Sequence, residues 1–175
     1  MVRPITIVAA TIPAIIAILF AVALLGQDQI PFQAASPYDR LDIEYVRHKV
    51  RLISHGVTEN AVSVSSEVLL LRDDGSATYT TVTANGAMPP ISYSVGQEGV
   101  NRLKALVKET GFTSINAKFP ISDRMSEYNV STIKINLNGD RLQLRWPEQN
   151  ATDAFIPPVI TAVEEELGRI ITMAP

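Results

Sequence analysis

The sequence predicts an α+β domain, an antiparallel sheet with two helices packed on one face, that follows an N-terminal transmembrane helix. Three observations lead to this prediction. Residues 5–25 carry no charge, two segments alternate apolar and polar residues around Gly-containing turns, and two others repeat apolar residues at helical spacing. We therefore divide the chain into a transmembrane anchor or uncleaved signal (1–26), a spacer (27–39) and an extracytoplasmic α+β domain (40–175).

The N-terminal stretch from Ile5 to Leu25 has the length of a membrane-spanning helix. Its 21 residues, at about 1.5 Å each, cover the roughly 30 Å hydrocarbon core of a bilayer. Arg3 precedes the stretch and the next basic residue is Arg40, so the positive-inside rule places the N-terminus in the cytoplasm and the domain outside. The alternative is a signal peptide cleaved between Ala21 and Gln27, which would release a secreted protein.

Composition excludes several classes of function. The chain has no cysteine, so the domain has neither a disulfide framework nor a thiolate for metal binding or nucleophilic attack. Fifteen Lys and Arg residues against 18 Asp and Glu give a formal net charge of −3, which argues against a nucleic-acid partner.

The first elements of the domain are predicted to be a short helix, a strand and a β-hairpin. Residues 38–54 mix helical and alternating spacing, and we predict a short helix followed by a strand. Glu67–Leu71 and the Thr-rich segment 77–83 form a β-hairpin across Asp73-Asp74-Gly75, because Asp-Gly supplies the positive φ that a tight turn needs. Asn85-Gly86 closes the second strand, and residues 91–95 are a possible third.

A helix is predicted to begin near Gly96, with Ser94 and Gln97 as a capping box and Gly111 as its left-handed C-terminal cap. Residues 113–127 lack any period and indicate an irregular surface loop. The apolar stripe of this helix consists of Val100, Leu103, Leu106 and Val107.

The second hairpin has the clearest alternation in the chain. Ile133, Ile135 and Leu137 precede the Asn138-Gly139 turn, and Leu142, Leu144 and Trp146 follow it, so all six are predicted to face the core. Trp146 is then a core residue rather than a ligand-stacking one. The opposite stripe of Lys134, Arg141 and Arg145 is predicted to be a solvated face, with an acidic partner as the alternative.

The last helix starts at Pro157-Pro158, residues suited to a first helical turn. We predict that Glu164-Glu165-Glu166 is a solvated face, since consecutive helical residues point about 100° apart and cannot converge on one metal ion. The apolar positions at helical spacing are Val159, Ile160, Val163, Leu167, Ile170 and Ile171.

Four phrases of the sequence resemble small anchored or exported proteins of ammonia-oxidising archaea that have no characterised activity. They are LLLRDDGSATYT, ISYSVGQEGVNRLKALVKETGF, STIKINLNGDRLQLRWPEQN and FIPPVITAVEEEL, and the resemblance covers roughly residues 60–172. It rests on packing and turn residues, so it implies a fold and a membrane address and transfers no catalytic residue.

Few residues are candidates for chemistry. His48 and His55, the only histidines, lie seven apart and would share one face of a continuous helix, which makes them weak candidates for a copper or zinc site. Asn129 and Asn150 begin glycosylation sequons. Asp73-Asp74 is expected to be an ordinary solvated pair, and no catalytic motif or cofactor is predicted.

These observations favour a non-enzymatic, membrane-anchored domain, an accessory subunit or interaction module of an envelope complex. The resemblance alone suggests a specific version, an auxiliary subunit of an archaeal membrane enzyme such as ammonia monooxygenase. The alternatives are a secreted or anchored ligand-binding or inhibitor-like domain and a metal-binding protein that uses the two histidines.

Overall fold

The computed structural model describes residues 35–36, 38–55, 58–122 and 125–175. The predicted anchor Ile5–Leu25 and most of the spacer lie outside these residues. Among the helices that the structure does describe, none is long and apolar enough to span a membrane. The described residues belong to one compact unit.

The described residues form seven strands and two helices, and the strands make one antiparallel sheet. The strands are β1 (Leu41–His55), β2 (Thr58–Leu71), β3 (Ser76–Thr83), β4 (Gly86–Ala87), β5 (Ile91–Ser94), β6 (Glu127–Leu137) and β7 (Asp140–Pro147). Their order in the sheet is β4-β3-β2-β1-β6-β7, and β5 also pairs with β3. The helices are α1 (Gly96–Glu109) and α2 (Pro158–Ile171), with short 3-10 turns at Phe112–Ser114 and Gln149–Ala151. The predicted α+β class is confirmed.

Strand β1 replaces the short helix that was predicted after Tyr38, so that prediction was wrong. β1 lies in the middle of the sheet and pairs with β2 on one side and β6 on the other. Leu41, Ile43 and Tyr45 are buried, and they alternate with the more exposed Asp42 and Glu44. Pairing on both sides therefore outweighs the helical spacing of the apolar residues.

Both predicted hairpin turns are present. Asn138 and Gly139 connect β6 to β7 with φ values of 55° and 98°, a two-residue turn of the mirror-image type that Asn-Gly favours. Gly75 has a φ of 82° in the turn between β2 and β3. The positive φ values explain why these positions carry Gly and Asn.

The two helices begin and end almost where the sequence places them. The predicted capping box at Ser94 is wrong, because Val95 is the N-cap of α1 and no side chain caps that end. Gly111 has a φ of 64°, which confirms a left-handed residue after α1. As predicted, Pro158 occupies the first turn of α2.

The main core lies between the helices and one face of the sheet, as the sequence predicted. Trp146 and Tyr45 are fully buried, and their rings stack with centroids 6.4 Å apart. The helical residues of the same cluster are Val100, Leu103 and Val107 from α1 and Ile160, Val163, Leu167 and Ile170 from α2. No helix of the described residues covers the other sheet face, and we call it the open face.

The segment between the first 3-10 turn and β6 contains no helix or strand in its described part, as the sequence predicted. It is nevertheless held in place: Thr152 donates a hydrogen bond to the Pro120 carbonyl (2.6 Å) and the Ser122 amide donates to the Ala151 carbonyl (2.9 Å). A second, smaller apolar cluster lies beside this segment and consists of Val50, Tyr128, Val130 and Ala151.

Candidate functional site

The open face carries a cleft whose volume is about 560 Å³. Leu70 lies in it and is 44% exposed, the largest apolar exposure among the cleft residues. The strand register brings the polar residues together, because Glu44 pairs with both Leu70 and Lys134, and Lys134 pairs with Gln143. The charged and polar side chains of the cleft are Asp42, Glu44, Arg72, Lys134, Asn136, Arg141 and Gln143. An apolar centre between charged side chains is typical of a binding surface.

The charges of the open face are partly paired. Lys134 donates to Glu44 at 2.7 Å, so this cation and this acid compensate each other. Arg141 and Arg145 are exposed, and neither forms an ion pair or hydrogen bond with the side chain of another described residue. The predicted basic stripe is therefore solvated, and two of its three cations are accessible to a partner.

Beneath the sheet, Glu164 is the acceptor of a polar network that the sequence did not predict. Its carboxylate accepts hydrogen bonds from Tyr45 Oη (2.9 Å), Ser131 Oγ (2.8 Å) and Trp146 Nε1 (3.0 Å). Arg47 Nη2 lies 3.5 Å away. Burial, together with the charge of Glu164, raises the pKa of the Tyr45 hydroxyl well above its usual value.

The prediction that Glu164-Glu165-Glu166 forms a solvated face was therefore wrong for two of the three residues. Glu164 exposes 27% of its side chain and Glu166 exposes 11%, and Glu166 pairs with Arg169. Only Glu165 is exposed. Two features of the sequence could have indicated that Glu164 is partly buried. Glu164 lies four residues after Ile160, on the apolar face of the helix, and Arg47 lies two residues after Tyr45, on the same face of its strand.

The Asp73-Asp74 pair is also different from the prediction. Asp73 Oδ1 lies 2.6 Å from Nζ of Lys104, whose side chain is only 3% exposed, and it accepts the Leu41 amide at 3.1 Å. Burial alone would raise the pKa of Asp73, but the bonds from Lys104 and Leu41 outweigh it and lower that pKa. This carboxylate thus compensates a buried ammonium group.

The end of the predicted spacer is fixed to the domain through Asp39. Its carboxylate accepts hydrogen bonds from Lys108 Nζ, Asn138 Nδ2 and the Ser36 amide, each at 2.9 Å. These three bonds lower the pKa of Asp39 to about 2. The chain therefore enters the domain at a defined point, where the spacer, the end of α1 and the β6–β7 turn meet.

The structure does not bring His48 and His55 together. Both lie on β1 rather than on a helix, and seven residues at about 3.3 Å each separate their backbones by roughly 23 Å. The Nδ1 atom of His48 is 2.7 Å from the Ser66 hydroxyl, and the side chain of His55 is outside the described part. Burial and the charge of Arg145 lower the pKa of His48. Among the described residues, no group of three or more His, Asp or Glu could hold a metal ion.

The two sequons have different surroundings. Asn129 lies on β6, is half-buried, and donates from Nδ2 to Glu148 at 3.1 Å. Asn150 is exposed in the 3-10 turn Gln149–Ala151. Asn150 is thus the more accessible acceptor, and the use of either sequon stays a prediction.

Comparisons with known proteins do not assign a family. No protein-family model matches the chain, and no curated protein matches it significantly.

Proposed function

We propose that this chain is a non-enzymatic, membrane-anchored protein whose extracytoplasmic domain is an accessory subunit or interaction module of an envelope complex. The observation that carries the proposal is the cleft on the open face, where Leu70 is exposed between charged residues of three strands and of the β2–β3 turn. Interfaces typically have an apolar centre and a polar rim of this kind.

The predicted anchor supports the same proposal. A domain that is tethered by Ile5–Leu25 meets membrane partners at high effective concentration, so a modest interface gives useful affinity. Asp39 holds the last part of the spacer against the domain. The sequence resemblance suggests one concrete partner, an archaeal membrane enzyme such as ammonia monooxygenase.

Purification of the full chain from its native membranes in mild detergent tests the proposal. We expect a partner at a fixed stoichiometry, and we expect Leu70→Asp to release it because a charge would replace the apolar centre of the cleft. Val62→Asp is the matched control, because Val62 lies on the same strand and is 43% exposed, against 44% for Leu70. A monodisperse monomer without a partner, or equal retention in both variants, would contradict the proposal.

The volume of the cleft also favours a second candidate, a secreted or anchored ligand-binding or inhibitor-like domain. About 560 Å³ falls within the range of small-molecule sites. N-terminal sequencing of the mature protein separates the two candidates. A chain that begins near Ala23 to Gln27 lacks the anchor and supports the second candidate, whereas an intact Met1 or Val2 supports the first.

A further inference from the structure

Strand β7 forms one edge of the described sheet, and alternate backbone groups along it point away from β6. The Glu148 amide donates to the Asn129 carbonyl at 3.0 Å, and the hairpin register continues from this bond, so even-numbered residues of β7 bond to β6. The N–H and C=O groups of Arg141, Gln143 and Arg145 therefore point away from the sheet. No described residue outside the ladder forms a backbone hydrogen bond with them.

The side chains along this edge are positively charged. Arg141 and Arg145 are exposed, project onto the open face and have no ion pair with a described residue. Lys118 is exposed on the loop beside β7. The nearest acids of the cleft, Asp42 and Glu44, lie on β1, two strands away.

A second cavity, of about 420 Å³, adjoins the same edge. Leu144 and Arg145 of β7 form one wall, and Phe119 and Ile121 of the loop form another. The cavity's other sheet residues, Val130, Gln143 and Pro147, have the same parity as Arg145, so the cavity opens on the open face beside that cation. Leu142 and Leu144 occupy the alternate positions of β7 and point to the opposite side of the sheet. An added strand would thus meet cations and the cavity on one face and apolar β7 residues on the other.

We propose that β7 binds an extended, antiparallel segment of the partner in which acidic residues alternate with apolar ones. The acidic side chains lie opposite Arg141 and Arg145, and their backbone groups bond to the free edge. The apolar side chains point to the opposite face, beside Leu142 and Leu144 of β7. Since Pro147 has no N–H, the donors of the edge end at Arg145, which limits the contact to about seven residues of the partner.

The charge pattern disfavours a second copy of this chain as the added strand. Two antiparallel β7 strands related by a twofold axis at Gln143 would place Arg141 of each copy opposite Arg145 of the other. Directly opposed like charges destabilise a strand pair, whereas opposite charges stabilise it by about 0.2–1 kcal/mol per pair. An acidic segment is therefore the favoured occupant.

The rival explanation is that the charges and Pro147 only protect an exposed edge from aggregation, a common role of such residues. The two explanations differ in a measurable way. Protection alone predicts that removal of the arginines causes self-association and leaves acidic strands unbound. Recognition predicts that an acidic strand binds the unmodified chain.

The probe is a fluorescein-labelled peptide of nine residues, TEVEVEVET, added to the full chain in nanodiscs of zwitterionic lipid. We expect saturable binding at low salt and at least tenfold weaker binding to Arg141→Gln/Arg145→Gln. The control Lys49→Gln/Arg51→Gln removes the same charge from exposed positions of β1 and should bind normally. Unchanged tryptophan fluorescence verifies that each variant is folded, since Trp146 is buried in the core.

Methylated peptides separate strand addition from simple charge attraction. N-methylation at the Glu positions removes the N–H groups that bond to β7 and should abolish binding, whereas N-methylation at the Val positions should be tolerated. No binding of the acidic peptide, equal binding of a peptide with Lys for Glu, or equal effects of the two methylation patterns would overturn the inference.

This inference rests on the proposed function, yet the two can fail separately. If the peptide does not bind but a native partner is released by Leu70→Asp, the edge proposal is wrong and the partner binds the cleft. If the peptide binds but native membranes yield only a monomer, the accessory-subunit proposal is wrong.

Discussion

Replacement of Glu164 by Ala should destabilise the domain far more than replacement of its neighbour Glu165. The two glutamates are adjacent in α2 and have the same helix propensity, but Glu165 is exposed and Glu164 accepts bonds from three buried residues. Because Glu→Ala changes helix propensity equally at both sites, the difference between the variants isolates the network.

The expected magnitude follows from the donors that lose their acceptor. Tyr45 and Ser131 can still bond to each other, since their oxygens are 3.1 Å apart, but Trp146 Nε1 loses its partner in a site where Trp146 is 1% exposed. An orphaned buried donor costs about 1–3 kcal/mol and each further lost bond about 1 kcal/mol. We therefore expect Glu164→Ala to lower the free energy of unfolding by about 3 kcal/mol and Glu165→Ala to lower it by less than about 0.5 kcal/mol.

Urea unfolding of the full chain, followed by the fluorescence of its single tryptophan, measures both effects. With a denaturant slope of about 2 kcal/mol/M, the midpoint of Glu164→Ala should fall by about 1.5 M. Glu164→Gln keeps one acceptor oxygen and should have an intermediate midpoint. Equal midpoints for Glu164→Ala and Glu165→Ala would refute the network and restore the solvated face that the sequence predicted.

Three further predictions concern other polar groups. Asp73→Asn should lower the free energy of unfolding, measured in urea, by about 2–3 kcal/mol because it leaves the Lys104 ammonium buried without a carboxylate. Lys104→Met should lower it by less than about 1 kcal/mol. Equal losses in the two variants would contradict the ion pair. The folded-state pKa of Asp39 is about 2, below its ordinary value of 3.8, so its contribution to stability is present above pH 4 and is lost as pH falls toward 2. Asp39→Asn should remove this part of the pH dependence between pH 4 and 2, and an unchanged acid profile would contradict the assignment. In an exporting host that glycosylates sequons, Asn150→Gln should remove a mobility shift and Asn129→Gln should not, because Asn129 is half-buried and bonded to Glu148.

Local signals account for what the sequence predicted correctly. In the β6–β7 hairpin, the alternating apolar residues and the Asn138-Gly139 turn lie within about fifteen residues. The two-residue turn fixes which residues of the strands pair, so the sequence predicts the register as well as the strands. The same holds for α2, where Pro158 and a regular apolar stripe define both the start and the buried face. The burial of Trp146 followed directly from its place in the alternation.

Long-range pairing accounts for what the sequence did not predict. β1 is a strand because β2 and β6 pair with it on both sides, and β6 begins more than seventy residues later in the chain. Tyr45 and Glu164 are 119 residues apart, and Asp73 and Lys104 meet only when α1 packs on the sheet. The basic stripe was visible in the sequence, but the free edge of β7 depends on the strand order.

Site-specific photo-crosslinking in native membranes identifies which surface of the domain touches a partner. A photoreactive residue in place of Leu70 or Gln143 samples the cleft and the β7 edge, and one in place of the exposed Glu165 samples the helical side. We expect positions 70 and 143 to form adducts with the same membrane or envelope protein and position 165 to form none. Absence of an adduct at positions 70 and 143, or the same adduct at all three, would contradict this expectation.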